Sequence, residues 1–161
     1  LACYGEVLTE TGRFEEAQRT FERALVIAPG SAKVVLGYAR LLARADKEAE
    51  AAQLLETTLA DKNRIDRLDE RALLVTLLAE IRRRTRSPEL GLRAFNSHLP
   101  DSPLVLREKI GCLPALEYAD TLIALRQYTE AKEVLQTLQP EYPEEPAIGR
   151  LLQFIEQVAS L

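Results

Sequence analysis

The sequence predicts an all-α fold of antiparallel helix pairs stacked as repeats. Three observations lead there. Apolar residues recur at i, i+3, i+4 and i+7 through most of the chain, the spacing of amphipathic helices. Short turn-forming clusters such as Thr11-Gly12-Arg13-Phe14 and Arg44-Ala45-Asp46-Lys47 separate the periodic stretches, and connections that short force the flanking helices antiparallel. The pattern then recurs after about 34 residues. Composition agrees: 47% of the 161 residues are hydrophobic, 29% charged and only 6% aromatic, with no Trp and with Leu and Ala dominant, as expected of a folded, soluble helical domain.

The elements follow in order. The first unit places Leu1, Tyr4-Gly5 and Leu8 on one helix, Gly12 at the C′ position, and Ala17, Phe21, Ala24 and Leu25 on the next, closed by Ala28-Pro29-Gly30-Ser31. The second repeats it with Val35, Tyr38-Ala39 and Leu42, then Ala51 and Leu55; Thr58 takes the second small position and Asn63 that of the closing proline. The third is degenerate, with Val75, Leu78-Ala79 and Arg82, then Gly91, Phe95, His98 and Pro103. Its extra residues around Ile65 to Arg71 lengthen the front of its first helix, with Asp66 as N-cap and Asp69 and Glu70 in the first turn; Ser87 caps its second helix, with Pro88 at N1. The fourth carries Ala115, Tyr118-Ala119 and Leu122, a turn at Gln127-Tyr128-Thr129-Glu130, then Ala131, Leu135, Leu138 and Pro143. Between the third and fourth, Asp101 to Leu113 form either a short extra helix or a broken first helix. Pro146 starts a terminal helix with Leu151, Leu152, Phe154, Ile155, Val158 and Leu161 on more than one face, either a cap or the first helix of a further unit.

The run Leu1, Tyr4-Gly5, Leu8, Ala17, Phe21, Ala24 and Pro29 resembles the tetratricopeptide repeat (TPR). In that pattern the small residues let helices cross closely and the proline ends the second helix. The resemblance implies a right-handed α-solenoid of antiparallel helix pairs in one domain spanning 1–161. Its repeats fall at about 1–31, 32–65, 66–103 and 104–145, with a terminal helix at 146–161. It also implies a non-catalytic protein-interaction module or scaffold, taking a peptide or partner helix in a concave groove lined by the first helix of each repeat. The alternatives are a structural spacer within a longer array and a self-association module acting through the end helices. The sequence has no Met and opens as if inside a helix, so a piece of a longer protein is expected. Its Arg-, Leu- and Ala-rich style reads as bacterial, and TPR proteins of that style serve cytoplasmic or envelope assemblies.

Projecting the concave positions of the repeat onto this chain gives a candidate surface. The first unit offers Ala2, Glu6, Thr9 and Glu10; the second Lys33, Leu36, Arg40 and Arg44; the third Leu73, Thr76, Glu80, Arg83 and Arg84; the fourth Leu113, Leu116, Asp120 and Ile123. Arg40, Arg44, Arg83 and Arg84 read as a basic band suited to an acidic partner, since a guanidinium donates two parallel hydrogen bonds to a carboxylate. Helix C-termini favour cations for electrostatic reasons alone, which accounts equally well for Arg44 and for Arg82 to Arg86. The carboxylate clamp of chaperone-binding TPR domains is absent, because its positions hold Ala2, Glu6, Arg40, Leu73 and Leu77.

Other functions are poorly supplied. There is one histidine, His98, and no Ser-His-Asp set, HExxH run or glycine-rich phosphate loop, so neither an enzyme nor a cofactor or metal site is expected. A net charge of −4 disfavours nucleic acid, and no apolar run is long enough to insert in a membrane. Cys3 and Cys112 read as two small buried thiols, too far apart in the repeat to bridge.

Overall fold

A computed structural model describes all 161 residues as ten α-helices without strands. They are α1 (Ala2–Glu10), α2 (Phe14–Ile27), α3 (Ala32–Arg44), α4 (Glu48–Ala60), α5 (Leu68–Arg84), α6 (Pro88–His98), α7 (Pro103–Ile110), α8 (Leu113–Ala124), α9 (Tyr128–Leu138) and α10 (Pro146–Ala159). Four helical hairpins, α1–α2, α3–α4, α5–α6 and α8–α9, carry the repeat, and the first helices pack in series, α1 on α3, α3 on α5 and α5 on α8. The result is an open TPR-like solenoid, the fold class expected from the periodicity.

One turn recurs in all four hairpins. Gly12, Asp46, Arg86 and Arg126 are left-handed, with φ of 75°, 57°, 60° and 61°. The next N–H in each case, from Arg13, Lys47, Ser87 and Gln127, donates back to the carbonyl of Leu8, Leu42, Arg82 and Leu122 at 2.8–2.9 Å. This is the Schellman closure, which satisfies carbonyls the helix end would otherwise leave open. Only the first copy uses glycine; the other three accept the steric cost of a Cβ in this region.

The crossings depend on missing side chains. Phe21, fully buried on α2, lies between Gly5 of α1 and Gly37 of α3: a Cβ added at either glycine would come within 2.8 and 2.6 Å of the ring. Tyr38 stacks on the same ring at 5.9 Å between centroids and donates its hydroxyl to Glu22 at 3.1 Å. Burial and that carboxylate push the Tyr38 phenol up to about 12. In the third hairpin Gly91 meets the backbone of Ala79 on α5, where an added Cβ would stand 3.2 Å from its Cα. The core divides into three clusters: one around Phe21, a large one from α3 to α7, and one formed by α8, α9 and α10.

Several local expectations are corrected. Asp66 is not the cap of α5; Arg67 holds that position and pairs with Asp69 at 2.8 Å, while the lengthened helix and its acidic first turn are as expected. Ser87 occupies the N-cap of α6 without a capping side-chain bond. Pro103 does not close the third unit. It opens α7, and α6 ends at His98, with Pro100 following as Pro29 follows α2. The segment between the third and fourth units is a separate helix, α7, ended by Gly111 at φ 81°. The fourth turn lies at 125–127, two residues earlier than expected, because the Schellman closure needs only Leu125 to Gln127 and Tyr128 is already helical. Cys3 is exposed and Cys112 only half-buried, both as free thiols.

Gly37→Ala is expected to destabilise by about 1–3 kcal/mol in urea unfolding, because the confined Phe21 ring has nowhere to retreat. Most of that loss should vanish in a Phe21→Leu background. Gly12→Ala, with open space around it, should lose about 1–2 kcal/mol for backbone conformation alone. Equal losses for the glycine substitution in both backgrounds would contradict the wedge.

Candidate binding groove

The periodicity of 3.6 residues puts side chains four apart on one helical face. Each of three neighbouring first helices uses this to present two charged groups one turn apart: Glu6 and Glu10 from α1, Arg40 and Arg44 from α3, Glu80 and Arg84 from α5. All six line one cleft of about 560 Å³, together with Thr9, Gly37, Ala43 and Leu77. Gly37 admits the Phe21 ring where its side chain would be and contributes its backbone to the groove lining. Thr9 donates its hydroxyl to the Gly5 carbonyl at 2.8 Å, so it offers the groove little polarity.

The cleft is acidic on α1, basic on α3 and mixed on α5, yet no acid–arginine pair among these six approaches within 4.0 Å. The only ion-pair neighbour of any of the six is Glu48, 4.0 Å from Arg84. Arg40, Arg44, Glu6, Glu10 and Glu80 are therefore available to an incoming chain.

The remaining candidates lie elsewhere. Arg83 points away from the cleft chemistry: its Nε and Nη2 donate to both carboxylate oxygens of Glu117 at 2.9 and 3.1 Å, and Asp120 stands 4.0 Å off. Leu36 and Leu116 are buried in two different apolar clusters and do not line the cleft. Thr76 donates to the Ala72 carbonyl at 2.7 Å. Lys33 is at the rim, with Nζ 3.1 Å from Cys3 Sγ. The four-arginine band is thus reduced to Arg40, Arg44 and Arg84, set among three glutamates.

Sequence reasoning missed Glu117. The signal was present: a lone carboxylate in the apolar run Leu113-Pro114-Ala115-Leu116-Glu117 calls for a buried cationic partner. Burial raises the Glu117 carboxyl above the ordinary carboxylate value, outweighing the opposing pull of Arg83. Burial raises Asp120 as well, again against Arg83. The pair joins the first helices of the third and fourth hairpins and is shielded enough to resist salt.

Comparison with known proteins bears on the fold. Residues 8–81 match the tetratricopeptide repeat family, a span that takes in the end of α1, the whole of α2, α3 and α4, and most of α5. Two solved structures share the architecture of the whole chain at 18% identity. A mutant of MamA aligns over 97% of this chain and 84% of its own, with a TM-score of 0.62; MamA MSR-1 C2 aligns over 98% and 84%, with a TM-score of 0.65. No curated protein matches by sequence. The repeat read from Leu8, Ala17, Phe21 and Ala24 is therefore found again by the family comparison, and the helical array by structure.

With its pKa raised, Glu117 holds its proton longer in the folded chain than in the unfolded one. Its contribution to stability is largest below the ordinary carboxylate value and falls as pH rises through the raised one. Glu117→Gln removes that dependence. Stability of the wild type relative to the variant, measured by urea midpoints from about pH 4 to about pH 7, should decline with rising pH; an increase would show that the Arg83 pair outweighs burial.

Proposed function

We propose that the chain is a non-catalytic protein-interaction module that docks an extended peptide or a partner helix in the cleft of α1, α3 and α5. One observation carries this reading: side chains from three separate repeats converge on a single cleft and leave their charges unpaired within it. Unpaired charges of both signs on a rigid scaffold favour a partner that supplies the complements, and such matching gives specificity and association rate more than bulk affinity. The sequence alone suggested an acidic partner. With Arg83 bound to Glu117 and three glutamates in the cleft, the better complement is a segment carrying both signs, its acidic side chains on Arg40 and Arg44 and its basic ones on Glu6, Glu10 and Glu80.

Selection of peptides from a displayed random library tests this. Selected peptides should carry both acidic and basic residues, shift the amide resonances of Glu6, Arg40, Arg44 and Glu80, and weaken severalfold between about 50 and about 300 mM salt. The Arg40→Glu/Arg44→Glu double variant should lose them while keeping its thermal midpoint. Binders that map outside the cleft, or an absence of any binder, would favour the spacer reading.

A second reading rests on the ends of the array. Leu1 before α1 and Tyr4 and Val7 on it are exposed, as are Phe154 on α10 and Leu161 beyond it. Unlike surfaces meeting head to tail would extend without closing. Light scattering across a dilution series should then show mass rising with concentration and Phe154→Glu should suppress it; a constant monomer mass removes this reading.

A further inference from the structure

A second charged site lies away from the groove, between α4, α5 and α6. This cleft, of about 390 Å³, is lined by Glu56 of α4, Arg82 of α5, and Arg93, Ser97 and His98 of α6. Arg82 donates from Nη2 to Glu56 at 2.5 Å, but its Nε is buried with no acceptor. A buried guanidinium N–H without a partner costs free energy and is uncommon in folded proteins. Arg93 and, close to His98, Arg71 and Lys62 have no carboxylate within 4.0 Å. Arg71 is held instead by the backbone carbonyls of Ile65 and Lys62, which fix its position without cancelling its charge. Two arginines thus share the cleft with one carboxylate, and Arg71 and Lys62 add positive potential at His98, in a chain whose net charge is −4.

We propose that this cleft binds a phosphoryl group, free or carried as a monoester. Its donors come from two helices: the exposed part of the Arg82 guanidinium, the Arg93 guanidinium, the Ser97 hydroxyl and the His98 ring. Such a set suits a tetrahedral oxyanion with oxygens pointing several ways better than a planar carboxylate, which a single arginine satisfies. The site is independent of the groove, since none of its residues lines that cleft. His98 makes it sensitive to pH. Burial lowers its pKa, with Arg71 and Lys62 acting in the same direction and Glu56 opposing, so the ring is neutral at neutral pH and becomes a further cation on acidification.

The test uses the whole chain and two probes, sulfate, whose charge is constant over the pH range, and O-phosphoserine, with ionic strength held by chloride. Both should give saturable shifts of the Arg82 Nε–H resonance and of the Arg93, Ser97 and His98 amides, and acetate should give none. Arg93 is exposed, so Arg93→Ala should fold normally and weaken both probes at least about threefold. Sulfate binding should tighten as pH falls from about 7.5 to about 5.5, and His98→Gln should abolish that trend. Tighter binding of phosphoserine than of sulfate identifies a carried phosphoryl group, and the reverse a free anion. Shifts confined to Arg40 and Arg44, non-saturable shifts, equal affinity in Arg93→Ala, or acetate binding as well as sulfate would each overturn the assignment.

Discussion

The spacing of the array depends on how closely its helices cross, and that closeness is set by atoms the chain does not have. The Phe21 ring fills the gap between α1 and α3 because Gly5 and Gly37 leave it room, and Gly91 brings α6 onto the backbone of Ala79 in the same way. Close-packed interiors transmit such local distances instead of absorbing them. The separation of α1 and α3 in turn fixes how far Glu6 and Glu10 stand from Arg40 and Arg44. The width of the groove and the absence of ion pairs across it are therefore consequences of side-chain volume at the crossings. A charged cleft held open by packing stays open without a ligand, and a ligand entering it loses little to reorganisation.

Much of this was legible because helical repeats write their signals locally. The small–large alternation of Tyr4-Gly5, Ala17, Phe21 and Ala24, and the 3.6-residue period, were enough to place every hairpin, since each unit buries its apolar face only against its neighbours. The groove charges on α1 and α3 were legible for the same reason: once a helix face is assigned to the core, residues four apart on another face follow from geometry. The errors arose where one signal stood for two structures. Pro103 reads equally well as a helix end or a helix start. The turn after α8 carries no glycine to mark its left-handed residue, and the same Schellman closure forms there on Arg126.

What the sequence did not show was which charges are already committed. Arg83 and Arg84 are adjacent and look equivalent on paper. The helix turns them about 100° apart, so one faces Glu117 on α8 while the other remains in the groove. Partnerships of this kind join residues far apart in the chain and leave little trace in periodicity. The same holds for Arg82, whose place at a helix C-terminus explains its charge but not its buried, partnerless Nε.

The division of the apolar interior also bears on how the chain comes apart. Neighbouring units in a linear array are coupled only through shared faces, so its cooperativity is as strong as its weakest seam. Here the large cluster of α3 to α7 and the cluster of α8 to α10 are distinct. They are bridged by Tyr118, edge-on to Phe95 at 5.4 Å, by Leu92 and Leu104 packed against the C-terminal cluster, and by the Arg83–Glu117 and Arg107–Glu141 pairs. α8 thereby packs on α5, α6 and α7 together, a broader junction than the division of the core alone suggests. The C-terminal three helices are therefore tied to the array through three helices at once, and loosening them disturbs α5, which carries Glu80 and Arg84 of the groove.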